Sequence, residues 1–373
     1  MRTVVRLVVL ALFFLFTGAA AQAEQSHMSF IGFSRDGRRV AGCGFRTAAV
    51  FDTSTGQLVC RVSPRAMPTG VALSPDGKLL AVGTLSSQVM LYSLPKGTEL
   101  RTITGEKRFG GGFTVTFSAD GRWLITTGFS IGRPEPDSSV RVWDVETGAL
   151  ITSVAGPRGD VSPKGHWLTA HNPVEERVVV QPVPTGTRRV YTTAHLPYGP
   201  FRADDGRVAV IDDTDNTLFF TDLPGGTKTV VLPFGQKTDA CVMSPDFAHV
   251  AINREIPDSG DSEVTVIRLR DRARTARVVG KTLRATMISA RGTLAVEDAA
   301  GGQVRLVNAA NGSAVAVCKG SSFKEVHEHM EHGFSPDGRD LAIFDLEPSG
   351  PSPFLRLFDA TTGKVRWTKP IDG

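Results

Sequence analysis

A five-residue phrase recurs along the chain and limits what it can fold into. It reads Phe33-Ser-Arg-Asp-Gly37, Leu73-Ser-Pro-Asp-Gly77 and Phe117-Ser-Ala-Asp-Gly121. It returns as Val161-Ser-Pro-Lys-Gly165, Phe201-Arg-Ala-Asp-Asp-Gly206, Met243-Ser-Pro-Asp-Phe247, Ile288-Ser-Ala-Arg-Gly292 and Phe334-Ser-Pro-Asp-Gly338. The eight occurrences lie about 40 to 46 residues apart. The chemistry is that of a hairpin turn: Pro presets φ, Asp bonds its own backbone, and Gly accepts φ > 0.

An apolar strand follows each phrase, as in Leu79-Leu-Ala-Val82 and Leu341-Ala-Ile-Phe344. A further strand then runs into a second turn: Phe51-Asp-Thr-Ser-Thr-Gly56, Trp143-Asp-Val-Glu-Thr-Gly148, Val307-Asn-Ala-Ala-Asn-Gly312 and Phe358-Asp-Ala-Thr-Thr-Gly363. Each unit thus reads strand, turn, strand, loop, strand, turn, strand. A four-stranded unit repeating at this period is a propeller blade. The expected fold is all-β: a β-propeller of eight four-stranded blades, with seven as the alternative. The doubt over ring size comes from blades four to six. Asn172 to Gly186 has no Asp at its turn, and Arg268 to Arg277 is a basic stretch where the last turn of blade six belongs.

The double turn signal resembles bacterial WD40-like (WD40/YVTN-type) repeat propellers over nearly all of residues 24–373. The W-D pair itself occurs only at Trp143-Asp144, and no glycine-histidine pair opens the repeats. The resemblance implies the fold and, for partners, only a general capacity to bind protein or peptide.

The first phrase starts about ten residues after Ala23, and the last strand runs to the C-terminus. The first and last blades are therefore expected to complete themselves, so that the ring closes by packing rather than by exchanging a strand. Alternating strand directions place both tight turns of every blade on one face. The second-to-third-strand loops and the inter-blade links lie on the other. Function tends to sit on varied loops, which favours the loop-rich face. Three loops stand out there: Gly128 to Ser139, Asn253 to Glu263 and Asp345 to Pro353. Their acids, Glu135, Asp137, Glu255, Asp258, Asp261, Glu263 and Glu347, are candidates to grip a partner.

The N-terminus carries Arg2 and Arg6, an apolar run to Phe16, and the small-residue tail Thr17 to Ala23. That order is a cleavable secretory signal with an A-x-A site, so residues 1–23 are expected to be a signal peptide and 24–373 one propeller domain. The expected location is the periplasm or outside the cell. The apolar run is too short to span about 30 Å of hydrocarbon, and no later run is longer, so no membrane span remains after signal removal. Loss of Arg2 and Arg6 lowers the net charge from +4 to about +2. The remaining charge is spread out and gives no nucleic-acid footprint. Four cysteines, Cys43, Cys60, Cys241 and Cys318, are expected to be unpaired and buried. Cys43 and Cys60 fall on next-but-one strands, about 9.5 Å apart and beyond disulfide reach.

The densest polar cluster is Lys324-Glu-Val-His-Glu-His-Met-Glu-His332, in the link before the last inner strand. His327 and His329 share one side of an extended segment, and a bend would be needed to bring His332 to them. All three are weak candidates for a metal, which needs three or four ligands at about 2.0–2.3 Å. No cofactor is implied and no catalytic constellation is assembled. The G-x-S-x-G and H-E-x-x-H signatures are absent. The last unit, Phe358 to Trp367, resembles the tryptophan-docking repeat of quinoprotein dehydrogenases. Only this unit carries the terminal Trp; the matching strands elsewhere hold Cys60, Ile103, Val154 or Val317 instead, so the match reads as shared turn chemistry. The expected function is a non-catalytic, monomeric scaffold that binds a protein or peptide. The alternative is a metal-dependent hydrolase, a lactonase-like enzyme or a quinoprotein-like enzyme, with its site at the central opening.

Overall fold

The computed structural model describes residues 31–372 apart from 105–110, 131–138, 157–158, 160, 163, 173–174, 176, 185, 193, 198–199, 201–205, 224, 235–239, 257–258, 321–330 and 347–352. The signal-like segment and the histidines at 327 and 329 therefore lie outside the described residues. The chain forms eight antiparallel sheets, each built from strands consecutive in sequence. Seven sheets have four strands. The fourth has three, Trp167–Asn172, Arg177–Pro182 and Arg189–Thr192, and its inner strand is reduced to one bridge between Val161 and Leu168. No helix occurs among the described residues. The fold is an eight-bladed propeller.

Apolar clusters fill the seams between neighbouring blades. Ala72, Leu91 and Ile103 of the second blade meet Val115, Leu124 and Trp143 of the third. Ile211, Leu218 and Phe220 of the fifth meet Cys241, Met243 and Val250 of the sixth. Sheets that bury both faces against neighbours explain the near-continuous apolar second and third strands. All four cysteines sit unpaired in this packing, and burial raises each thiol above its ordinary range.

The first turn uses its serine as well as its aspartate. Ser34, Ser74, Ser118, Ser244 and Ser335 each donate to the Asp two residues on, at 2.6–2.7 Å. The same hydroxyls accept the N–H five residues on, at Arg39, Leu79, Trp123, His249 and Asp340. The Ser side chain therefore ties the start of the second strand to the end of the first. In the second turn the opening carboxylate gathers several donors. Asp52 accepts from the hydroxyls and N–H groups of Ser54 and Thr55. Hydrogen bonds led by the Thr361 hydroxyl hold Asp359 down at about 2.

In seven blades the third and fourth strands slip register by one residue: at Phe51, Tyr92, Trp143, Ile267, Val307 and Phe358 just before the residue opening the second turn, and at Phe219, three residues before Asp222, in the fifth blade. The slip corrects the sequence alignment of Trp367. Its partner is Leu357, and the residues in the same register elsewhere include Cys60, Arg101, Thr152 and Ala316.

Trp367 also does more than share turn chemistry. Its Nε1 donates to the Thr53 carbonyl of the first blade at 2.9 Å, and its ring lies 5.7 Å from Phe51. It docks on Gly56, where a Cβ would come within 2.8 Å of the indole and where φ is +67°. Gly56 is thus fixed by both backbone conformation and close approach.

Among the described residues, the first and last sheets each contain only their own strands, with none exchanged at closure. The C-terminal residues latch the seam instead. The Asp372 carboxylate accepts the N–H groups of Phe45 and Thr47 at 3.0 Å and the Thr47 hydroxyl at 2.8 Å. Arg61 donates to the carbonyls of Ile371 and Pro370. Ile371 is fully buried in the first blade's cluster. Removing a buried large aromatic costs about 3–5 kcal/mol, and leaving buried donors without an acceptor costs about 1–3 kcal/mol. Trp367→Ala and Asp372→Ala are expected to lower the free energy of unfolding, measured by urea titration, by those amounts. Thr361→Ala, on the exposed turn of the same blade, is expected to cost about 1 kcal/mol or less.

Candidate functional site

The loop-rich face differs from its sequence reading. The stretch from Asn253 to Glu263 is a paired hairpin: strands His249–Ile256 and Asp261–Arg268 stay in register up to Ile256 opposite Asp261. Asn253 is buried and bridges to the seventh blade. Its Oδ1 accepts from the Ala285 N–H at 2.8 Å and its Nδ2 donates to the Ala285 carbonyl at 3.2 Å. Glu263 is pinned rather than poised for a partner. Arg277 donates to it at 2.8 Å and Thr265 at 2.6 Å, and these bonds hold its carboxyl below the ordinary range. Glu255 and Asp261 sit on the paired strands near the hairpin tip, and Glu255 is exposed. The other proposed gripping acids, Glu135, Asp137, Asp258 and Glu347, lie outside the described residues. The third proposed loop is shortened too, since Asp345 and Leu346 still pair with Phe354 and Pro353.

At the loop-rich end of the inner strands, the seventh, eighth and first blades bring polar groups together. His332 opens the last inner strand and is buried. Its Nε2 lies 2.7 Å from the Thr286 hydroxyl of the seventh blade. Glu331 precedes it, held by the bond from the Phe344 N–H to its own carbonyl at 2.9 Å. Glu297, buried on the seventh blade's second strand, faces it. Loss of hydration, with the charge of Glu297 added, pushes the Glu331 carboxyl up to about 8. Glu331 and Asp372 in turn add to the effect of burial on Cys43. Sequence reasoning singled out the histidines here and missed the carboxylate pair. Glu297 carries no motif, and its meeting with Glu331 follows from packing between blades. Among the described residues, no group of three or more His, Cys, Asp or Glu is placed to hold a metal ion.

The tight-turn face holds a groove of about 630 Å³ between the second and third blades. Sequence reasoning gave this face little room, because its turns are short. One wall of the groove is the side chain that covers the next blade's second turn. At the closing seam that side chain is Trp367. Here it is Arg101, whose guanidinium donates to the Thr147 and Glu146 carbonyls, both at 2.6 Å.

A WD domain, G-beta repeat model matches residues 97–144. The match takes in the outer strand of the second blade and ends on Trp143-Asp144, where the Trp143 Nε1 donates to the Thr126 hydroxyl at 2.9 Å. The chain is a β-propeller carrying a WD40 repeat.

Human pre-mRNA-processing factor 17 is 25% identical over 163 residues, 39% of this chain and 27% of that protein. Xenopus tropicalis WD repeat-containing protein 1 is 30% identical over 84 residues, 22% of this chain and 13% of that protein. Chlamydomonas reinhardtii centriole proteome protein 16 is 31% identical over 149 residues, 39% of this chain and 6% of that protein. The matched stretch spans about a quarter of pre-mRNA-processing factor 17 and less of the others. Among solved structures, the dihydro-heme d1 dehydrogenase NirN aligns over 94% of this chain and 76% of its own, with TM-score 0.60 and 14% identity. Kuenenia stuttgartiensis hydrazine synthase aligns over 88% and 95%, with TM-score 0.50 and 14% identity. At that identity both are alike in fold alone.

The Glu331 pair gives a signed pH dependence. The carboxyl ionises near 4.3 in an unfolded chain and near 8 in the folded one. Between those values the native state holds a proton that the unfolded state has released, so this group's contribution falls as pH rises from about 4.3 to 8. Glu331→Gln is expected to raise stability at pH 8 by about 1–3 kcal/mol and to have little effect near pH 4. Urea midpoints of both proteins across pH 4–9 check this; a constant offset at every pH would contradict it.

Proposed function

We propose that this propeller is a non-catalytic scaffold that binds a protein or peptide, exported to the cell envelope or beyond. The carrying observation is the WD40 repeat within the ring, together with a paired hairpin on the loop-rich face. In the first turns, Ser and Asp satisfy one another and the local N–H groups. At the hairpin, Glu255, Ser259 and Gly260 are exposed. Rigid elements with protruding tips suit recognition better than chemistry, although fold alone never establishes a function. The export part of the reading rests on the charged, apolar, small-residue order of residues 1–23.

An enzymatic reading, hydrolase-like, lactonase-like or quinoprotein-like, draws on the Glu297–Glu331 pair at the loop-rich end of the strands and on the docked Trp367. The pair has one buried histidine beside it, whose Nε2 meets Thr286. The docking occurs at the closing seam, while Cys60, Arg101 and Ala316 take the same register elsewhere. The scaffold reading therefore accounts for more of the molecule.

Two measurements test the proposal. Mass spectrometry of the full chain expressed in a bacterium with a Sec pathway should find Glu24 as the N-terminus of the periplasmic form; an uncleaved cytoplasmic chain would contradict export. Cross-linking to envelope proteins, repeated with residues 257–260 replaced by Asn-Gly, should lose its specific products. An unchanged set of products would rule out the hairpin as the binding surface.

A further inference from the structure

The groove between the second and third blades combines an apolar floor with an acidic rim. Leu91 is buried, Leu79 and Val145 are half-buried, and Leu100 is 56% exposed at the edge. Asp120, Asp144 and Glu146 line it with them. Two arginines also line it: Arg122 lies near enough to Asp144 to help hold that carboxyl below its ordinary range, after the Thr147 hydrogen bonds, which leaves Asp120 and Glu146 as the acids open to a ligand. Arg101 is committed to the carbonyls of Glu146 and Thr147, and it fills the space a Cβ at Gly148 would need, with Cδ 2.7 Å away.

Arg122 departs from the pattern of its repeats. In the first, second and eighth blades, the residue after the turn glycine forms an ion pair with the turn aspartate: Arg38 with Asp36 at 3.9 Å, Lys78 with Asp76 at 3.4 Å and Arg339 with Asp337 at 3.3 Å. Arg122 instead lies over the Trp123 ring, 4.4 Å from its centroid, a favourable cation–π position. Asp120 consequently forms no ion pair with it. Asp120 and Glu146 are exposed, and the rim offers carboxylate oxygens to an incoming cation. A side chain that fits the floor must be aliphatic or a methionine, and one beside it must be positive.

We propose that this groove, on the face opposite the hairpin, is a docking site for a short extended peptide carrying an apolar anchor next to a lysine or arginine. The anchor rests on Leu79, Leu91, Leu100 and Val145, and the cation meets Glu146 and Asp120. Arg101 holds here the register position that Trp367 fills at the eighth-to-first seam. It stands independently of the loop-rich surface proposed above.

Random heptapeptides displayed on phage and panned on the full chain provide the probe, followed by fluorescence polarisation of a labelled synthetic copy of the dominant peptide. The expected peptides pair Leu, Ile, Val or Met with an adjacent Lys or Arg. Binding should weaken about tenfold or more in Arg101→Trp, which rebuilds the Trp367 docking and plugs the groove, and in Glu146→Lys. Leu100→Asp, at an exposed position, gives the same reading if the Trp variant fails to fold. The hairpin variant should bind like the parent chain. Peptides lacking the apolar–basic pair, or binding unmoved by Arg101→Trp, Leu100→Asp and Glu146→Lys, would overturn the proposal. Loss of binding in the hairpin variant alone would assign the peptides to the other face, and would overturn it too.

Discussion

The ring stands on its closing seam. Every other junction joins blades already linked along the chain, but the eighth and first are brought together across more than 300 residues of sequence. Strand exchange would let hydrogen-bonded pairing hold that junction. Here both terminal sheets are complete, and side chains do the work. Trp367 covers Gly56 and donates to the Thr53 carbonyl, Ile371 is buried against Gly42, and Asp372 gathers the donors of Thr47 and its neighbours. These contacts are directional at one end and apolar at the other, so the seam excludes water and fixes register together.

The same register position then differentiates the seams. At five seams the bulged outer pair sets one fourth-strand residue, Cys60, Arg101, Ala276, Ala316 or Trp367, against the turn glycine of the next blade. Where that residue is Trp367 the gap is filled. Where it is Cys60, the thiol lies where a Cβ at Gly97 would be. Where it is Arg101, polar bonds replace packing and a groove is left between Leu79, Leu91 and the third blade's turns. A regular backbone with a variable cover thus gives chemically different seams from nearly identical sheets.

Turn chemistry was legible in the sequence because it is local. Asp, Gly and Pro act within four or five residues, and the period of the phrase carried the blade count through the irregular fourth blade. The serine stands in seven of the eight phrases, but the role of Ser34, Ser74, Ser118, Ser244 and Ser335 was not read from it, since its second bond reaches five residues on. The stretch from Asn253 to Glu263 looked like a loop because of its Pro, Asp, Ser and Gly content. Only the tip needed that composition, while Arg254, Glu255 and Ser262 paired across strands. The Glu297–Glu331 pair and the Arg101 groove were illegible for a different reason. Both are made between blades, where residues 34 and 45 positions apart meet and no motif marks them.

Because each blade is assembled from consecutive strands, the molecule has no privileged starting point. A circular permutant joining residue 372 to residue 31 and opened at any inter-blade link would sever no sheet. The backbone unit of inheritance is then the whole blade, and copies could be gained or lost without rewiring any strand pairing. What a newcomer must supply is one suitable cover residue for the glycine turn beyond it.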